Sequence, residues 1–297
     1  MRFLAGVLRH TAAVGAALAC AVALAGTAGA SSQQLERLES ATAIKASLPS
    51  KALQSELHFA VYLPPGYASS GTRRYPVVYF LHGLPAGPTA YLSLAWVDLA
   101  LEETGRQAIL VVPQGSRTEN GDPEYQNWGA GGDWETALSV ELPAWIDRNY
   151  RTIANRSGRA LVGVSAGGYG ASIIGIHHPN TFSVIESWSG YFRPTDPTGE
   201  KTLELGSSAA DTDASVLRLA PTLAKQFAAH PTFFAFYVGK DDPTFVPDNR
   251  ALDAALTAAG VPHTFELYAG AHTTALWQTH ATEWLALALA HLPPSSG

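Results

Sequence analysis

Cysteine is almost missing from this chain of 297 residues: Cys20 is the only one, and it lies inside an apolar run near the N-terminus. Beyond that run, no disulfide framework, cysteine-based zinc site or thiolate nucleophile is available. Charge is sparse at 15% of residues, the formal net charge is −6, and basic clusters are absent. Nucleic acid is therefore not expected as a partner. Internal repeats, low-complexity tracts and a dividing linker are also lacking. What is present is a globular composition, 46% hydrophobic with 27 Gly and 19 Pro. At this length one large α/β domain is the simpler reading.

The first 30 residues form a separate object. Arg2 and Arg9 lie in the opening stretch, and Thr11 to Ala30 carries no charge and is mostly Ala, Val and Leu, ending in Ala28-Gly29-Ala30. That is the pattern of a secretory signal peptide cleaved after Ala30. About 20 apolar residues could also span a bilayer as an anchor. The Ala-rich run and the small-x-small ending favour removal. Cleavage takes away two arginines and no acid, moving the net charge from −6 to −8. A secreted protein without stable membrane association is expected. Residues 31–55 are polar and read as a loosely attached leader, with a short helix near 33–39. A single folded domain is expected over 56–297.

Within that domain, apolar runs alternate with helical spacings. Glu56–Leu63, Val77–Leu81, Ala108–Val112, Ala160–Val164, Ser183–Trp188, Thr232–Val238 and His263–Tyr268 read as strands. Tyr91–Glu103, Asp133–Asn149, Ala171–Ile176, Asn249–Ala259 and Thr274–Leu292 read as helices, with Asp133 as a cap. Residues 114–132 read as a long loop and 191–230 as an irregular insertion. Strand–helix alternation implies a mostly parallel central sheet with helices on both faces.

The stretch Gly163-Val164-Ser165-Ala166-Gly167 sits between a buried strand and a helix. Strand, G-x-S-x-G, helix is the context of a nucleophile elbow, which throws a serine hydroxyl out from the sheet edge on a strained turn. A side chain at 163 or 167 would collide with a neighbouring element. The competing reading is a glycine-rich helix start with Ser165 as its N-cap.

A serine hydroxyl needs a base and a group that orients the base. Such groups collect at the carboxyl ends of the strands, in the chain order Ser, acid, His. Gly239-Lys240-Asp241-Asp242 follows one late strand, and Ala269-Gly270-Ala271-His272 follows the last. His272 is the candidate base. Asp241 and Asp242 are adjacent, their side chains diverge, and one at most faces His272; Asp242 is favoured, and the other could bind a backbone amide. The oxyanion needs backbone donors. The N–H of Ala166, at the positive helix end, is one; the N–H of Leu84, after the strand that ends at Leu81, is the second. Trp128, Tyr125 and Tyr191 are candidates for contacting substrate. His177-His178 does not read as a metal pair, since adjacent helical side chains do not face one site. His280 reads as packed, and Glu141 as solvated or capping. No metal or cofactor is called for.

Tyr79-Phe80-Leu81-His82-Gly83, Glu141-Leu142-Pro143-Ala144-Trp145, the elbow, His178-Pro179-Asn180-Thr181-Phe182, Gly239-Lys240-Asp241-Asp242 and Ala269-Gly270-Ala271-His272 together resemble the putative-esterase branch of the α/β-hydrolases. That branch includes feruloyl and acetylxylan esterases, S-formylglutathione hydrolases and the mycobacterial mycolyltransferases. The resemblance spans roughly 57–290. It implies the α/β-hydrolase fold and cofactor-free ester hydrolysis or acyl transfer through a serine acyl-enzyme, on a small-molecule or polysaccharide-linked ester. Its Gly-x-x-Asp motif falls on Gly239 and Asp242. The mycolyltransferases carry Asp and Arg around the oxyanion loop, a Trp two residues after the catalytic His, and Glu as the acid. Here His82, Pro85, Thr274 and Asp242 stand in those places, so water is the expected acceptor.

Overall fold

A computed structural model describes residues 43–118, 124–196 and 201–297. The expected signal peptide and the short helix near 33–39 lie outside the described residues.

Eight strands form one sheet in the order β1-β2-β4-β3-β5-β6-β7-β8. They are β1 (Ile44–Ser50), β2 (Ser55–Tyr62), β3 (Val77–Leu81), β4 (Ile109–Pro113), β5 (Arg159–Val164), β6 (Val184–Trp188), β7 (Phe233–Gly239) and β8 (Thr264–Tyr268). β1 and β2 run antiparallel; the six strands from β4 to β8 are parallel. Every residue of β3, β4, β5 and β6 is buried. That explains their unbroken apolar runs: a parallel strand is covered on both faces.

Side chains alternate between two cores. Val77, Tyr79 and Leu81 join one side with residues of the segment 134–149, called α2, and of α3 (Ala166–His177), α5 (Val216–Ala229) and α6 (Val246–Ala258). Val78 and Phe80 join the other, against α1 (Ala95–Glu103) and α7 (Thr274–Ala290). Helices on both faces of a mostly parallel sheet are the architecture expected.

Three features differ from the expectation. Residues 44–50 are not a loose leader but an edge strand paired along its length with β2. Its turn is held by Glu141, whose carboxylate accepts hydrogen bonds from Ser50 Oγ and from the N–H groups of Lys51 (3.1 Å) and Ala52 (3.2 Å). Glu141 is thus a clamp on the β1–β2 turn. Second, 191–230 contains α4 (Ser208–Asp213) and α5, capped by the hydroxyls of Ser207 and Ser215. Third, α2 has a π-helical middle, Ala137–Glu141, and Asp133 does not cap it. The Asp133 carboxylate instead accepts from Gly129 N–H at 2.8 Å.

Candidate active site

β5 runs into α3 through Ser165, which has φ 57° and ψ −123°. Positive φ at a non-glycine residue stores roughly 1–3 kcal/mol of strain and persists only where its surroundings enforce it. They do so here by close contact. A Cβ on Gly163 would lie 2.0 Å from Gly167 O, and one on Gly167 would lie 2.1 Å from Leu81 O. Only glycine lets α3 start this close to β5 and β3. Ser165 N–H donates to Trp188 O at 2.8 Å. Ser165 does stand at the N-cap of α3, but its hydroxyl makes no capping bond. It lies 2.9 Å from His272 Nε2.

His272 follows β8 and precedes α7. Thr273, one residue after the histidine, caps that helix through Leu276 N–H at 3.4 Å. Phe245 packs on one side of the imidazole, with ring centroids 4.9 Å apart. Trp277 stands nearly perpendicular to it at 5.1 Å. His272 Nδ1 lies 2.9 Å from Asp242 Oδ2. A carboxylate only accepts, so Nδ1 carries the proton and Nε2 is left to accept the Ser165 hydroxyl.

Asp242 is nine-tenths buried and more, 2% exposed. Its Oδ1 accepts from Thr244 N–H and Phe245 N–H, each at 3.0 Å. Burial pushes this carboxyl up, but hydrogen bonds from His272, Phe245 and Thr244 outweigh it and hold it below the usual carboxylate range. The neighbouring Asp241 turns away and accepts from Gly270 N–H at 3.1 Å, the amide-binding alternative expected for whichever aspartate did not face His272.

Of the two expected backbone donors, one directly follows the serine and the other follows a residue packed on it. Ala166 is the first residue of α3, and N–H groups in a first helical turn have no acceptor within the helix. Gly83 abuts the nucleophile: a Cβ on it would lie 2.9 Å from Ser165 Cβ and 3.5 Å from its Oγ. Leu84 follows, lining a cavity of ≈ 420 Å³ with Gly83, Leu94, Trp96, Val164 and Trp277.

The aromatic expectations need correction. Tyr125 is buried, with its hydroxyl donating to His82 O at 2.6 Å. Tyr191 is buried too, stacked between Tyr169 (5.4 Å) and Phe245 (5.2 Å), and donates to Glu124 Oε1 at 2.7 Å. Neither presents a face to substrate. Trp128 is 48% exposed, but it is not among the residues lining the cavity beside Ser165. The aromatics that do flank the site are Phe245, Trp277 and Trp96. A weak signal for two existed: Phe245 lies three residues after Asp242, immediately before α6, and Trp277 five after His272, in the first turn of α7.

His177 and His178 converge on one carboxylate oxygen after all. His177 Nδ1 and His178 Nε2 each lie 2.9 Å from Glu135 Oε1. His178 has already left helical geometry at φ −116°, ψ 59°, which brings adjacent side chains to the same side. No group of three or more His, Cys, Asp or Glu among the described residues is arranged to hold a metal ion. His280 is stacked on Tyr268, centroids 3.5 Å apart.

Residues 50–286 match the profile of the family described as Putative esterase. The chain belongs to that family. Among curated relatives, an esterase of Mycobacterium tuberculosis is 33% identical over 132 residues, which is 44% of this chain and 28% of the relative. The MPT51/MPB51 antigen of Mycobacterium bovis is 33% identical over 131 residues, 43% of this chain and 42% of the relative. The chain thus matches less than half the length of these first relatives. The S-formylglutathione hydrolase of Mus musculus is 26% identical over 239 residues, covering 73% and 82%. Among solved structures, a ferulic acid esterase superposes with TM-score 0.69 at 23% identity, covering 84% of this chain and 99% of that one. An S-formylglutathione hydrolase from Agrobacterium tumefaciens gives 0.66 at 22%, covering 82% and 94%. The esterases' α/β-hydrolase fold is therefore the fold of this chain.

Proposed function

We propose that the protein is a serine carboxylic-ester hydrolase. The observation that carries this reading is the hydrogen-bonded chain from Ser165 Oγ to His272 Nε2 and from His272 Nδ1 to Asp242, each link 2.9 Å, on a strained strand-to-helix turn. Family membership supports it.

Ser165 Oγ attacks the ester carbonyl carbon as His272 Nε2 takes its proton. Asp242 holds the imidazole in the Nδ1–H tautomer and stabilises the imidazolium. The tetrahedral oxyanion sits between the N–H groups of Leu84 and Ala166. Collapse expels the alkoxide, which receives the proton from Nε2, and leaves an acyl group on Ser165. Water, deprotonated by the same nitrogen, then attacks the acyl carbon. The acid departs and the proton returns to Ser165. The substrate is a small-molecule or polysaccharide-linked ester, and the cavity between Leu84 and Trp277 supplies the apolar wall for one of its halves. No cofactor enters the scheme. Export after cleavage at Ala30 is part of the proposal, supported by the pattern of residues 1–30; among the described residues no helix is long and apolar enough to cross a membrane.

The test is hydrolysis of p-nitrophenyl acetate by the wild type and Ser165→Ala. Loss of turnover in the variant is expected, and undiminished turnover sinks the reading. The second reading, from the motifs that resemble those of the mycolyltransferases, is acyl transfer to a sugar or lipid hydroxyl. Acyl-sugar exceeding free acid in the presence of trehalose would replace water as the acceptor.

A further inference from the structure

Next to the Ser165–His272–Asp242 chain stands a second imidazole that takes no part in the proposed proton transfers. His82 follows β3 directly and is 4% exposed. Its Nε2 lies 2.9 Å from Gly115 N. A backbone N–H only donates, so Nε2 is the acceptor and carries no proton. The proton is on Nδ1, which donates to the Gly83 carbonyl at 2.9 Å. Two backbone groups thus fix one neutral tautomer. Burial reinforces it by lowering the pKa of the ring.

The Gly83 carbonyl belongs to the same peptide unit as the Leu84 N–H. That unit is trans, so its C=O and N–H point in opposite directions. Holding the oxygen on the His82 side turns the N–H to the other. His82 is itself seated from behind. Tyr125 Oη donates to the His82 carbonyl at 2.6 Å. Gly115 approaches so closely that a Cβ there would lie 2.7 Å from Tyr125 Oη and 2.8 Å from His82 Nε2.

We infer that His82 is a positioning residue for the oxyanion site: its Nδ1–H fixes the Gly83 carbonyl and so aims the Leu84 N–H at the oxygen that becomes negative. The inference rests on the proposed role of Leu84 in ester hydrolysis. It also gives Tyr125 a place in the site, as the support of His82 rather than a substrate contact.

Two conservative variants separate positioning from mere packing. Asparagine places an N–H donor near the position of Nδ1, whereas glutamine places its polar group near Nε2. kcat and KM for p-nitrophenyl acetate are measured together with Tm. His82→Asn is expected to keep kcat within about fivefold. His82→Gln is expected to lose roughly 10- to 100-fold in kcat with KM nearly unchanged, the size set by misaiming one oxyanion donor. Tyr125→Phe is expected to lower kcat by a smaller factor, also at constant KM. Glutamine matching asparagine in kcat, or kcat falling only in step with Tm across all three variants, overturns the inference. Ser165→Ala in the same assay keeps the two proposals apart. An inactive Ser165→Ala with indistinguishable His82 variants removes only the positioning role, whereas an active one removes both.

Discussion

Two histidines in this molecule meet a carboxylate through Nδ1 at the same 2.9 Å, His272 at Asp242 and His177 at Glu135. They differ at the other nitrogen. His272 Nε2 faces the Ser165 hydroxyl, which can donate, so one proton on the ring satisfies both contacts. His177 Nε2 faces the Asp213 backbone carbonyl at 3.1 Å, which can only accept. Both contacts of His177 then require two protons, and the ring is held as a cation. Burial alone would lower its pKa, but Glu135 and Asp213 raise it overall. Glu135 is raised by burial and brought down to about 2 by His177 and His178. The same imidazole–carboxylate contact therefore makes a base where the far partner is a hydroxyl, and a structural cation where it is a carbonyl.

The comparison breaks most visibly at His272. Replacing it with alanine should lower kcat by about 10⁴-fold or more, while the corresponding change at His177 should leave kcat within a few-fold. Steady-state kinetics on one p-nitrophenyl ester decides this, and comparable losses at both positions would erase the distinction. Asp242→Asn comes next. It keeps the shape but favours the wrong imidazole tautomer, for an expected fall of about 10³- to 10⁴-fold in kcat. A loss below tenfold would mean that His272 is oriented by something else.

Glu135→Gln sharpens the other half. It should cost on the order of 1–3 kcal/mol of stability with little change in kcat. The sign of its pH dependence follows from the two shifts. The depressed Glu135 contributes fully above about 4.5 and loses its contribution as pH falls toward about 2. The raised His177 contributes fully below 6.5 and loses its contribution as pH rises through its higher folded value. The Tm gap between the wild type and Glu135→Gln should therefore be wider at pH 6 than at pH 9; a gap that is constant or grows with pH would show that His177 is not held as a cation. The smallest effect is expected at Trp277, where alanine frees one face of the His272 ring and should lower kcat roughly threefold to tenfold.

These two histidines also mark what the amino-acid sequence makes legible. His272 and Asp242 were readable because each directly follows an apolar strand, and strand ends are where a parallel sheet collects its chemistry. The elbow was readable because close approach at Gly163 and Gly167 excludes other residues. The pairing of His177 and His178 on Glu135 was not, since it depends on the chain leaving the helix between them and on a partner 42 residues away. β1 was hidden for a related reason. It is an edge strand only partly buried, and its turn is secured by Glu141 about 90 residues on. α5 was masked by Pro221 inside it. Tyr125 and Tyr191 show the limit for aromatics on loops: both are buried by contacts with residues distant in the chain, and no local pattern separates that from an exposed binding face.

The central claim is that Ser165 carries the acyl group. Rapid-quench intact mass followed by peptide mapping, with a slowly deacylating p-nitrophenyl ester, tests it most directly. The account predicts one acyl adduct, on the peptide containing Ser165, forming before steady-state release of acid and absent in Ser165→Ala. Turnover at the full rate with no adduct, or an adduct on another residue, would contradict it.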